Sequence, residues 1–195
     1  MNKKHIIYII TGLFVISSLL FVRCSSKMAS AESKTESIQS QDNNQIEIYF
    51  TKKDGNLDKI LIKEINSALK NLDIAIYSIT KENIVNAIID AKKRGVDVKV
   101  ITDKQEAHTK AQKAMLDKLK VNNIPVKINS HTGLMHLKLS VIDDKTALAG
   151  SYNYTLNATK VNDENLIIMR MPNIVNNYST EFNTIWNDTK NYSNY

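Results

Sequence analysis

From Ile46 onward the sequence predicts a single α/β domain, a mixed, mainly parallel sheet with helices on both faces. Two observations carry that expectation. Strand-like and helix-like segments alternate between Ile46 and Trp186, the pattern of parallel strand pairs with crossover helices. One further pair of strand-like runs is joined only by the tight turn Asp143-Asp144-Lys145, which makes an antiparallel hairpin and therefore a mixed sheet. With 195 residues, 43% of them hydrophobic and 24% charged, the chain can bury one domain's core and still carry a tail.

The elements follow in order. Ile46–Phe50 reads as a short strand, and Asp54-Gly55 marks the loop after it. Leu57, Ile60, Leu61, Ile65, Ala68 and Leu69 recur at helical spacing. Leu72–Tyr77 is an apolar, β-branched run and hence a buried strand. Thr80 is placed to cap a helix from Lys81 to Arg94, with Gly95 just beyond its end. Val96–Thr102 is the next strand, and Asp103–Lys120 a basic helix. Val126–Ile128 forms a short strand behind Pro125. After the hairpin, Thr155–Asn165 reads as a polar loop and Leu166–Arg170 as a strand. Pro172 then opens a final helix packed through Tyr178, Phe182, Ile185 and Trp186.

The first 31 residues stand apart. Lys3 and Lys4 precede an apolar run from Ile6 to Val22, and Ala29-Ser30-Ala31 has the form of a signal-peptidase site. Residues 1–31 are thus expected to be a signal peptide or N-terminal membrane anchor, 32–45 a flexible polar linker, and 46–190 the folded domain. Both versions of the leader place the domain beyond the cytoplasmic membrane: periplasmic, secreted, or anchored and facing outward. Cys24 is the only cysteine, so no intramolecular disulfide forms. The leader also holds four of the 26 basic residues and no acids, which leaves 22 bases against 20 acids elsewhere. Overall charge is therefore a weak argument for a nucleic-acid partner. The local excess from Lys92 to Lys120, nine bases against four acids, is a stronger one.

Chemistry concentrates in His136–Asn153. On a period-2 strand His136, Lys138 and Ser140 share a face, with Asp143 on the other. Along the returning strand Ala147, Ala149, Ser151 and Asn153 share a face. Small residues (Ser140, Ala147, Ala149) would then lie beneath a cluster of imidazole, ammonium, hydroxyl and amide, a pocket suited to phosphate. No His/Cys/Asp cluster has metal-ligand spacing, so neither a metal nor another cofactor is expected. A lone His–Lys pair on a strand is more often structural than functional; the full constellation reverses that.

The pattern His136-x-Lys138-x4-Asp143-x6-Gly150-Ser151-x-Asn153 resembles the signature of the phospholipase D superfamily. From Ile46 to Trp186 the chain is similar to that superfamily's small bacterial endonucleases, which carry one motif per chain. Ala75–Thr80, Ala91–Val100 and Asn162–Leu166 share in the likeness, while Leu137 and Gly133 depart from it. The resemblance implies cleavage of a phosphodiester in two displacements, without a metal, through a covalent phosphohistidine. His136 would attack, and Lys138, Ser151 and Asn153 would stabilise the anionic transition state. Glu164 matches the acid that orients the histidine through Nδ1–H, and Asp143 takes a supporting role, holding the hairpin or a partner base. One imidazole cannot attack and protonate the leaving group in the same step. The reading thus requires a homodimer with one shared site. Lys104, Lys110 and Tyr152 are further candidates for substrate contact. DNA, with RNA as a possible second substrate, is the leading expectation. Phospholipase D or phosphatidyl-transfer activity at a membrane is the alternative, and a membrane-tethered nucleic-acid-binding module without turnover is the third.

Overall fold

The computed structural model describes residues 45–195. The leader, Cys24 and all of the linker except Gln45 lie outside the described residues.

Among the described residues eight strands form one sheet: β1 (Ile46–Phe50), β2 (Asn71–Ile76), β3 (Asp97–Thr102), β4 (Val126–Asn129), β5 (Lys138–Ile142), β6 (Thr146–Gly150), β7 (Asn165–Met169) and β8 (Tyr192–Asn194). Their order across the sheet is β1-β7-β6-β5-β2-β3-β4-β8. The mixed α/β architecture is the expected one, but its parallel share is smaller. Only β2–β3 and β3–β4 pair in parallel. The other five pairings are antiparallel. Parallel pairs occur only where a helix crosses over, and after β4 the chain travels mostly by loops and tight turns. The expected domain end at residue 190 also falls short, because β8 pairs with β4 and Tyr195 N donates to Val126 O.

The helices are α1 (Thr51–Asp54), α2 (Leu57–Ser67), α3 (Glu82–Lys93), α4 (Lys104–Ala107), α5 (Lys110–Val121), α6 (Leu156–Lys160) and α7 (Pro172–Asn187). Against one face of the sheet, α2, α3 and α5 bury Leu61, Ile65, Ile84, Ile88, Leu116 and Leu119. Against the other, α7 buries Val175 and Phe182 on Ala75, Leu139, Val141 and Ala147.

Local chemistry explains where the elements depart from their expected bounds. The basic helix over 103–120 is two helices, because two N-caps compete for the chain. Asp103 accepts from Gln105 N and Glu106 N, and Thr109 accepts from Gln112 N. Thr155 likewise accepts from Ala158 N and starts α6 inside the expected loop. Thr80 is not the cap of α3; that position falls to Lys81, which makes no side-chain cap bond. Leu69 lies beyond α2 and is 81% exposed.

One buried group sets up a pH-dependent stability. Asp73 on β2 is 3% exposed, with Oδ1 lacking a hydrogen bond and Lys99 Nζ 4.0 Å away. Burial raises its pKa to about 6, against the opposing pull of Lys99. Because the folded value lies above the unfolded one, this residue's contribution to stability falls as pH rises through roughly 4 to 6. Asp73→Asn is therefore expected to stabilise the protein by about 1–2 kcal/mol at pH 7.5, with the gain vanishing near pH 4. Thermal melts of both proteins across that range check it.

Candidate active site

The site lies along one edge of the sheet, where β2, β3 and β4 end, β5 begins and β6 ends. At such an edge loops present side chains without disturbing the ladders beneath them. His136 sits two residues before β5, exposed to solvent. Its ring rests on Tyr77, with centroids 4.6 Å apart and planes inclined by 57°. Lys138 opens β5, paired with Ile76. Its Nζ donates to the His136 carbonyl at 2.8 Å and stands 4.9 Å from the centre of the Tyr77 ring. Burial pulls the Lys138 pKa down, and the Glu164 carboxylate acts against that. A partly desolvated ammonium of this kind gains most from an arriving phosphate anion.

Tyr77 is itself held. Its N–H donates to Leu137 O at 2.9 Å. Its carbonyl accepts from Thr102 Oγ1 at 3.2 Å and Gln112 Nε2 at 3.4 Å, and both those residues are buried. Sequence reasoning did not single out Tyr77; the available signal was an aromatic residue directly after a buried strand, at the end where α/β sheets place their sites. Tyr77→Leu is expected to lower kcat by about 10–100-fold with little change in KM, since loss of positioning acts on the reacting geometry. Tyr77→Phe, which keeps the ring, is expected to stay within a few-fold. Steady-state kinetics on the two variants checks this.

The other half of the cluster is built at the end of β6. Gly150 has φ +152°, and a Cβ there would meet Asn165 O at 2.4 Å, so only glycine permits the approach. That approach lets Ser151 N donate to Asn165 Oδ1 at 2.8 Å and Asn165 N donate to Ser151 Oγ at 3.1 Å. Ser151 Oγ then donates to Glu164 Oε2 at 2.5 Å, and Asn162 Nδ2 donates to Glu164 Oε1 at 2.9 Å. The Glu164 backbone is tied to Thr51, N–H to Oγ1 at 2.9 Å and carbonyl from Thr51 N at 3.0 Å. Asn153 Oδ1 accepts from Ser78 N at 3.3 Å, which leaves its NH2 as a donor.

His136, Lys138, Ser151, Asn153 and Glu164 thus share one edge, but not by the expected alternation. In the β5–β6 register Ser140 faces Leu148 and Leu139 faces Ala149. Ala147 and Ala149 therefore lie on the α7 side, not beneath Lys138. Ser140 is buried, with its hydroxyl 2.7 Å from Tyr154 OH. What gathers the residues is the break in the strand at Gly150 and a short parallel bridge between Ile79 and Tyr154.

Two expectations, those for Tyr152 and Glu164, need correction, and Asp143 stands apart from the cluster. Asp143 lies at the opposite end of β5 from His136, where its carboxylate accepts from Leu69 N, Lys70 N and Asn71 N at 2.9, 2.7 and 3.0 Å. It holds the hairpin to the start of β2 and does not reach the site of its own chain. Burial alone would raise its pKa, but the three backbone donors outweigh it and hold the carboxyl low. Tyr152 is 1% exposed, its hydroxyl 2.6 Å from Thr159 Oγ1 and its pKa pushed to about 12 by burial, so it is a core residue and not a substrate contact. Glu164 is engaged by Ser151 and Asn162, while the His136 ring rests on Tyr77 rather than on a carboxylate.

The two basic candidates differ in placement. Lys104 is exposed beside Asp103, whose Oδ2 accepts from Met135 N at 2.9 Å, so it flanks the segment carrying His136. Lys110 is exposed at the start of α5, and among the described residues nothing ties it to the site.

This fold and this edge define a phosphodiesterase of the phospholipase D superfamily. The sequence profile of the family described as "Cardiolipin synthase, PLD-like domain" matches residues 61–186, and the chain belongs to that family. It is 28% identical over 179 residues to the phospholipase D of Rickettsia prowazekii (strain Madrid E), covering 90% of this chain and 86% of that one. To the mitochondrial cardiolipin hydrolase of Chlamydomonas reinhardtii it is 31% identical over 122 residues, 63% of this chain but only 54% of the relative's length. Among solved structures, a phospholipase D family member, Nuc from Salmonella typhimurium, superposes with a TM-score of 0.71 at 28% identity. That match covers 77% of this chain and 97% of Nuc.

Proposed function

We propose that the protein is an exported endonuclease that cuts DNA through a phosphohistidine on His136, acting as a homodimer with one shared site. The observation that carries this is the pairing of His136 and Lys138 on the Tyr77 ring at an open edge with a single nucleophile per chain. His136 attacks phosphorus. Lys138 neutralises the non-bridging oxygens and Asn153 donates to them, while Ser151 joins them only by turning its single hydroxyl proton from Glu164 to the phosphate. Glu164 accepts from Ser151 Oγ and so fixes that hydroxyl beside the phosphate. The leaving alkoxide takes its proton from His136 of the second copy, and water then attacks the phosphohistidine by the reverse exchange. None of these steps calls on a metal. Exposed Lys104 flanks the edge and suits a polyanion, and the likeness to Nuc points the same way.

A second reading has its own support. Leu134 and Leu137, 45% and 39% exposed, border the hollow that His136 lines, and the similar Rickettsia protein is called a phospholipase D. Exposed leucines beside a phosphodiesterase site suit the surface of a phospholipid bilayer. Both readings are tested by incubating the full chain, in EDTA, with plasmid DNA and separately with phosphatidylcholine vesicles. Nicking that disappears in His136→Ala supports the nuclease. Choline release without nicking replaces it with the phospholipase, and binding without cleavage would leave only a binding module.

A further inference from the structure

We propose that Gln112, a buried amide on α5, is a positioning residue that fixes both halves of the catalytic edge at once. The inference rests on the parts that the proposed chemistry gives His136, Lys138 and Asn153, and it holds for a nucleic acid and a phospholipid alike.

Gln112 lies where the packing of α5 calls for an apolar side chain. Its neighbours Ala111 and Lys113 are exposed, while Gln112, Leu116 and Leu119 form the buried stripe, each 0% exposed. The start of the helix places it there, because Thr109 caps α5 and accepts from Gln112 N. A buried amide is costly unless its donors and its acceptor are paired. In Gln112 they are, and every partner lies at the end of β3 or just past the end of β2.

Strand β2 ends at Ile76, opposite Thr102 on one side and Lys138 on the other. The next three residues run beyond the ladder, so their main chain needs other partners. Ile79 is 0% exposed, and its N–H donates to Gln112 Oε1 at 2.7 Å. Gln112 Nε2 donates to Thr102 Oγ1 at 2.8 Å and to Tyr77 O at 3.4 Å. Thr102, also 0% exposed, passes the link on, its hydroxyl donating to Ile76 O at 2.7 Å. One side chain thus ties Tyr77 and Ile79 together from the buried side.

Both halves of the site ride on that segment. The Tyr77 ring supports His136, with centroids 4.6 Å apart, and lies 4.9 Å from Lys138 Nζ. Ser78, between the two tied residues, donates its N–H to Asn153 Oδ1 at 3.3 Å and so sets which way that amide points. The Ser78 carbonyl accepts from Tyr154 N at 3.0 Å, which holds the main chain beside Asn153 as well. Without the Gln112 amide the segment is free to shift, and a small misplacement of reacting groups is costly in rate.

The test compares Gln112→Met with Leu119→Ala in the full chain, using bis(p-nitrophenyl) phosphate, a diester with neither base nor acyl chain. Methionine keeps the length of the side chain and removes its polar atoms. Leu119→Ala weakens the same helix two turns further on. Both are expected to lower the melting temperature. Only Gln112→Met is expected to lose kcat, by about 10–100-fold with KM within a few-fold of wild type, measured well below both melting temperatures. A second reading is free of turnover. The His136 ring protons, identified by their loss in His136→Ala, carry an NMR ring-current shift from Tyr77. In Gln112→Met they are expected to move toward their position in Tyr77→Leu, and in Leu119→Ala to stay. Should Gln112→Met not fold, Thr102→Val, which keeps the branched shape and removes the hydroxyl, is expected to change both readings in the same direction. A folded variant that keeps the wild-type kcat and the His136 shift overturns the proposal, and so does an equal loss of kcat in Leu119→Ala. A wild type that cleaves neither DNA nor phospholipid overturns the proposed function instead, and the His136 shift then decides the part of Gln112 by itself.

Discussion

Replacing His136 by alanine is expected to abolish phosphodiester cleavage, a fall of ~10⁴-fold or more, while leaving the melting temperature within a degree or two of the wild type. Both halves of that expectation come from where the residue sits. The ring is exposed and rests on Tyr77, so removing it opens no cavity in either core. Its carbonyl, which holds Lys138 Nζ, remains in the variant. On the proposed mechanism the loss therefore falls on chemistry: without the imidazole no covalent intermediate would form, and water would have to attack an anionic phosphodiester directly. His136→Gln, close in size, is expected to be equally inactive. Activity above a few per cent of wild type in either variant would show that another group attacks.

Asp143→Ala should behave in the opposite way. It is expected to lose about 3–5 kcal/mol of stability, because three backbone N–H groups at the start of β2 lose a charged acceptor together. The turn it opens is already demanding, with φ of +54° at Asp143 and +52° at Asp144, a conformation that aspartate tolerates and alanine resists. Cleavage by the folded fraction at low temperature is expected to stay within a few-fold of wild type. The native carboxyl's pKa is held below its ordinary value, so its contribution is present above the unfolded value and is lost as pH falls through the lowered one. The gap between wild type and variant should thus narrow in strong acid. Denaturant melts at neutral and acidic pH measure the stability term, and kcat measured well below the melting temperature measures the rest.

The contrast between these residues shows how far the sequence could be read. The period-2 pattern correctly identified β5 and β6, and of the residues in the motif His136, Lys138, Ser151 and Asn153 meet at one edge while Asp143 lies at the other. What it could not supply was the geometry past the strand's end. Gly150 breaks the alternation through a backbone approach to Asn165, and nothing local in Ala149-Gly150-Ser151 reveals that distant partner. Tyr152 illustrates the same limit. An aromatic residue beside Asn153 reads equally well as a stacking platform or as core, and only the Ile79–Tyr154 bridge turns it inward. Tyr77 is the converse case, hidden within an apolar run although it supports both His136 and Lys138. The overstated parallel content has a similar cause: element order is local, whereas the return of β7 between β1 and β6 is a long-range pairing.

The stability features and the site are spatially separate. Asp143 lies at the end of β5 away from the catalytic edge, and the Asp73 carboxylate feels both Asp97 and Asp144. The catalytic edge instead carries open polar groups whose partners, on the proposed reading, would arrive with the substrate and a second copy. Such separation is what lets a small scaffold keep a solvent-open site without losing its fold.

The most direct test of the shared site is to coexpress wild-type and His136→Ala chains carrying different tags and to measure cleavage by the purified heterodimer. Each such dimer would hold one imidazole where the proposed mechanism calls for two, one to attack and one to protonate the leaving oxygen. It is expected to be almost inactive, and an equal random mixture should retain about a quarter of wild-type activity, that of the wild-type pairs alone. A heterodimer with half the activity of the wild-type dimer would contradict the shared site and show that each chain works by itself.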